Sequence, residues 1–226
     1  MEQEEIRITV KDLAKCVAAS EARQKKILQD HKYREKGEGR ARSLYYSEAS
    51  KTIVGYHAHR LDPDALATAA DVLAEKAGET ENWRRAQRFV NNERGLRAYR
   101  RFFSVHPSQV LRRPALKWHA HGVTVKARPD LAIREAGDLV LVKLEFGKQM
   151  PTPTLCTLLL EGMAAAASAH LPPLGPFRVE VWHVTTGERI SRPLISGAGT
   201  PLLERACRRV AELWPAIEPP KKVRAA

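Results

Sequence analysis

Apolar positions recur in two rhythms along this chain, one near three and a half residues and one near two, and the change of rhythm divides the sequence. From Lys11 to Lys32, Leu13, Val17, Ile27 and Leu28 form an apolar stripe with Asp12 in the first turn, which predicts a helix after a short extended start at Ile6 to Val10. Gly37 and Gly39 then break the pattern. Asp62-Pro63-Asp64 opens a second predicted helix that runs to Lys76, ahead of Gly78. A third spans Glu81 to Phe103, with Trp83, Ala86, Val90, Tyr99, Phe102 and Phe103 as an interrupted apolar face.

After Pro107 and Pro114 the period shortens to two. Leu116 to His121 and Val123 to Arg134 read as strands meeting at Gly122, and Glu135 to Asp138 reads as a turn. Asp138 to Phe146, DLVLVKLEF, is the nearly continuous apolar run expected of a central strand covered on both faces. A helix from Thr154 to Ala169, a strand from Phe177 to Val184, a turn at Thr186-Gly187 and a helix from Pro201 to Leu213 complete the series. The order predicts an α/β fold, a mixed central sheet flanked by helices, with a helical insertion at about 34–110 and a sheet core at about 115–190. One domain over 1–217 and a basic tail at 218–226 are expected.

Composition adds a partner class. The chain has 226 residues, 43% of them hydrophobic and 28% charged, enough for a buried core and too apolar for global disorder. Its 38 Lys and Arg against 26 Asp and Glu leave a formal charge of +12, which favours a polyanion: DNA, RNA or an anionic surface. The longest apolar stretch, Leu155 to Ala169, is interrupted by Glu161 and Gly162 and is too short for a membrane span. The acidic start MEQEE has no apolar signal core. Cys16, Cys156 and Cys207 form no CxxC and read as reduced thiols. A soluble, cytoplasmic protein with no membrane partner is the expectation.

The charge is concentrated. The third predicted helix carries Arg84, Arg85, Arg88, Arg94, Arg97, Arg100 and Arg101 against Glu81 and Glu93. Arg84 and Arg88, and Arg97 and Arg101, lie one turn apart, so their guanidinium groups can follow a phosphate backbone; a solvated helix face is the simpler alternative. Arg84, Arg85, Arg88, Arg94, Arg97 and Arg101 are therefore the candidate nucleic-acid contacts. Tyr45, Tyr46 and Tyr56 among Arg40, Arg42, Lys51 and Arg60 suit base stacking, or cap a core. His57-Ala-His59 and His119-Ala-His121 would each share a face on a strand and could grip a metal, although histidines in such places are more often structural.

The chemistry-bearing piece is VKARPDLAIREAGDLVLVKLEFGK, residues 125 to 148. Lys143 and Glu145, two apart on a strand, point to one side, and Leu139 and Leu141 lie further back on that side. With Asp130 on the neighbouring strand, two carboxylates and an amine would converge at a sheet edge, the inventory for holding Mg²⁺ or Mn²⁺ near a scissile phosphate.

Pro129-Asp130, a hairpin, and an apolar strand ending in acid and lysine resemble the PD-(D/E)XK nuclease superfamily, and within it the RecB-like exonuclease domains, including the CRISPR-associated ones. ITVKDLAKC (Ile8 to Cys16) resembles their opening strand and helix, GDLVLVKLEFGKQ their catalytic strand, and FRVEVWHVTTGERI their later strand and hairpin. The resemblance implies a restriction-endonuclease-like sheet, metal held by Asp130 and Glu145, and a lysine, Lys143 or Lys148, assisting phosphodiester hydrolysis of DNA. The order departs from the pattern: lysine precedes the acid, a displacement of about 7 Å along a strand. The Gln and Tyr motif of the later helix and the C-terminal cysteines of an iron–sulfur cluster are missing, so no cluster is expected. Three readings stay open: a metal-dependent nuclease; a nuclease-fold subunit without catalysis that binds DNA or serves a DNA-processing or defence complex with other protein subunits; and, more distantly, a basic interaction protein whose cleft binds no nucleic acid.

Overall fold

In the computed structural model, residues 5–33, 45–104, 109–135, 137–170, 177–192 and 201–219 are described. Gly37, Gly39, Arg40, Arg42, Pro107, Ala136 and the end of the tail from Pro220 lie outside the described residues. The elements are β1 (Ile6–Thr9), α1 (Val10–Val17), α2 (Glu21–Lys32), α3 (Ser47–Ala58), α4 (Pro63–Glu79), α5 (Trp83–Phe103), β2 (Gln109–Val110), β3 (Leu116–Ala120), β4 (Val123–Ala127), β5 (Leu131–Glu135), β6 (Asp138–Glu145), α6 (Pro153–His170), β7 (Phe177–His183), β8 (Glu188–Arg192) and α7 (Pro201–Leu213). The fold is mixed α/β, as the pattern predicts, but its strands form two sheets. One has the order β1-β4-β3 and the other β2-β5-β6-β7-β8. No helix among the described residues is long and apolar enough to cross a membrane.

β6 organises the larger sheet. It pairs antiparallel with β5 and parallel with β7, and α6 supplies the crossover that a parallel pair requires. Its side chains alternate between two cores. Leu139 and Leu141 enter one with α1, α2, α6, α7 and the smaller sheet, while Val140, Val142 and Leu144 enter the other with α3, α4 and α5. The helical region of the first half is thus a layer on the far face of the sheet. Phe103 of α5 stacks on Trp182 of β7, with ring centroids 5.0 Å apart, and joins that layer to the strands.

Four expectations from the pattern change. The helix predicted from Lys11 to Lys32 is two helices, because Ala18 closes α1 and Ser20 stands at the N-cap of α2; the apolar residues at each end of the stripe reach the same core from different helices. The strand predicted from Val123 to Arg134 bends at Arg128 to Asp130. Val123, Val125 and Ala127 face the first core, but beyond the bend it is Ala132 that faces it while Leu131 and Ile133 face the second. A continuous strand would keep one parity. Pro129, with no N–H and a fixed φ, sits at this change, and the β5–β6 ladder starts with the Asp130 N–H donating to the Val142 carbonyl at 2.8 Å. Helix α3 was not read from the pattern, although Ala49, Ile53 and Tyr56 are buried at helical spacing. Finally, His57 lies on that helix rather than on a strand, and His121 is in the β3–β4 turn at φ 49°, so neither HxH pair shares a strand face.

Candidate functional site

Asp130 stands where the strand changes sheets, and its Oδ2 receives the Leu144 N–H at 2.9 Å. The same oxygen lies 2.9 Å from the Lys143 ammonium. Asp130 and Lys143 therefore do converge, one from the bend and the other from the adjacent strand. Both side chains are largely buried, which weakens solvent screening of the pair. Glu145, two residues on, is buried and belongs to another partner. Both of its oxygens accept from Lys11 of α1, at 2.6 and 2.7 Å.

Local structure fixes Lys11 in place. Thr9 caps α1 by accepting the Asp12 N–H at 3.1 Å, and its hydroxyl donates back to the Asp12 carboxylate at 2.8 Å. Val10, next to Lys11, packs where a Cβ on Gly162 of α6 would stand, 2.2 Å from the Val10 Cγ2. Without a side chain at Gly162, α1 comes close enough for Lys11 to reach the end of β6. Burial pushes the Asp12 carboxyl up, but the His31 ring, the Thr9 hydroxyl and Lys15 overcome it and hold the group down to about 2. Burial and the neighbouring Lys11 push the Lys15 ammonium down, against the pull of Asp12 and Glu145. Cys156 at the start of α6 is pushed up by burial and by Glu145. Lys11 and Lys15 were missing from the residues singled out in the sequence. Their four-residue spacing puts both on one face of α1, and that is the signal that points to them.

These donors are poorly disposed toward Mg²⁺ or Mn²⁺. A divalent ion takes several oxygens in a near-octahedral shell. Here Oδ2 of Asp130 already accepts from an ammonium and an amide, and both Glu145 oxygens accept from a second ammonium. The inverted order is the cause: the position two residues before Glu145, on the same face, carries a cation that meets Asp130. Lys148 is exposed in the segment after β6, and no contact among the described residues joins it to the pair. Asp130 and Glu145, expected together on one ion, each pair with a lysine here, Asp130 with Lys143 and Glu145 with Lys11.

On α5 the arginines divide. Arg88 bonds Glu48 and Ser47 at the start of α3, Arg97 pairs with Asp71 and Glu93, and Arg100 pairs with Asp64. These arginines brace the helical layer. Arg84, Arg85, Arg94 and Arg101 are exposed without an acid partner among the described residues, and Arg84 lies over the exposed Trp83 ring. Of the tyrosines, Tyr56 is buried with its hydroxyl on the Ser104 carbonyl, and Tyr46 stacks on Phe146 at 4.8 Å, so both have structural work. His57 is buried against Tyr99, sharing a 2.5 Å hydrogen bond, and burial holds it down to about 4.

Neither the protein-family models nor the curated proteins contain a match to this chain.

Proposed function

We propose that the protein binds nucleic acid, DNA in the first instance, on a nuclease-like α/β core whose carboxylates are neutralised by lysine, and that it does so without metal-dependent cleavage. The observation that carries this reading is the double ion pair, Asp130 with Lys143 and Glu145 with Lys11. An ammonium group placed against each carboxylate supplies the positive charge that a metal would bring, but not the Lewis acidity by which a metal turns a bound water into a nucleophile. The net charge of +12 and the four α5 arginines that have no acid partner among the described residues support the polyanion partner. The reading carries with it a cytoplasmic location and a role as one subunit of a DNA-processing or defence assembly.

The test is incubation of end-labelled single- and double-stranded DNA with the protein and Mg²⁺ or Mn²⁺, for wild type and Asp130→Ala. Expected is salt-sensitive binding by wild type with the DNA left intact. Metal-dependent cleavage that Asp130→Ala abolishes would overturn the reading in favour of a hydrolase, with Asp130 and Glu145 on the metal and Lys143 or Lys148 assisting.

A further inference from the structure

The three-stranded sheet has one face in the first core; on the other, Arg7, Lys117, His119 and Lys126 are exposed while Thr124 is buried. Ile8, Val123, Val125, Ala127 and Leu116 point inward under α1, α6 and α7. The registers place the alternate residues together on the outward face: Arg7, Thr124 and His119 in one row, and Thr9, Lys126 and Lys117 in the next. No outward position in these rows is a hydrophobic side chain. Arg128, exposed, follows β4 directly and stands two residues before Asp130.

The first row is internally satisfied. Glu5 holds Arg7 and accepts the Thr124 hydroxyl at 2.9 Å. That hydroxyl has one proton, so His119 Nδ1, also 2.9 Å away, donates to it. The second row is not. Lys117 and Lys126 are directly opposite one another on antiparallel strands, both exposed, and no acid pairs with either or with Arg128 among the described residues. Like charges in directly opposed positions destabilise a sheet, and a shared anion between them removes the repulsion.

We propose that this outward face is a second nucleic-acid contact, in which Lys117, Lys126 and Arg128 bind the phosphate backbone along β4 toward the Asp130 bend. The proposal rests on the nucleic-acid reading above and adds a surface on the smaller sheet, which covers the first core, whereas α5 covers the second. Lys117 and Lys126 face each other across β3 and β4, and Arg128 follows two residues after Lys126, so three cations cluster at one end of the face and suit a partner whose charges repeat. A lipid surface is disfavoured because the face offers no apolar side chain to insert.

The test compares wild type with Lys117→Glu/Lys126→Glu/Arg128→Glu, by fluorescence anisotropy of labelled single- and double-stranded oligonucleotides across a salt series. Lys117→Gln/Lys126→Gln/Arg128→Gln is the milder companion, and thermal denaturation checks that both variants fold. Expected is at least tenfold weaker binding by the Glu variant, with the slope of log K against log salt reduced by about 2. Wild-type binding that both variants retain within twofold, at an unchanged slope, would overturn this surface while leaving the nucleic-acid reading in place. Absence of wild-type binding would overturn both. Wild-type binding to phosphatidylserine vesicles but not to oligonucleotides, lost in the variants, would assign the face to lipid and overturn the proposal.

Discussion

Glu145 is buried with a carboxylate that two hydrogen bonds from Lys11 neutralise, so the consequence of removing the lysine follows from the carboxylate left behind. Lys11→Met should cost about 1–3 kcal/mol in urea denaturation, because a nearly buried charge loses its partner. Lys11→Met with Glu145→Gln should recover part of that loss. With Glu145→Gln also measured alone, a double-variant loss equal to the sum of the two single losses would mean that the two side chains are not coupled. His57 gives a pH-dependent counterpart. Burial, with a smaller contribution from Arg189, holds its folded-state value down to about 4, below the unfolded value near 6.5. Between those values the unfolded chain binds the proton more readily, so stability is full above about pH 6.5 and falls as pH drops toward 4. At most about 3 kcal/mol is at stake, and His57→Gln should flatten this part of the stability–pH curve. A variant curve parallel to wild type between pH 4 and 6.5 would count against it. Lys11 stands out in the sequence only as a lysine and His57 only as part of a His-Ala-His pair; their partners lie 134 and 42 positions away.

At the scale of elements, Gly162 decides how closely α1 approaches α6. Gly162→Ala would put a methyl group against the β-branched, buried Val10, and α1 would have to move away from the end of β6. Overpacking of this kind costs about 1–3 kcal/mol, and here it should also loosen the Lys11–Glu145 pair, making the variant less sensitive than wild type to a further Lys11→Met. Fully additive losses in denaturation would show that the helix position and the ion pair are independent. The strand expected from Val123 to Arg134 shows why the apolar pattern read well and yet misplaced a boundary. Alternation is correct on either side of Pro129, but a change of parity across three residues looks in the sequence like one longer strand. In the same way, α1 and α2 contribute to one core and so share what reads as a single stripe.

For the whole molecule, the β6 run states that both faces are covered without saying by what. The answer lies in two separate cores, and Trp182 is where the helical layer meets the sheet: it stacks on Phe103, carries Arg189 over its ring at 4.3 Å, and donates its indole N–H to Glu180 at 2.5 Å. Trp182→Ala should cost about 3–5 kcal/mol in thermal or denaturant unfolding. A loss below about 1 kcal/mol would mean that the layers hold together without this joint. Sequence alone determined the α/β class, most of the helices and strands, the central position of β6 and the basic character of the chain, because periodicity and charge are properties of neighbouring residues. It also placed Asp130 beside the strand that carries Lys143 and Glu145. Only the tertiary structure decided which cation meets which carboxylate, which arginines of α5 are spent on acids, and that β4 and β5 belong to different sheets. Those outcomes depend on contacts between segments far apart in the chain. A charge in the sequence has a sign and a spacing, but it acquires a partner only when the fold brings one within about 3 Å.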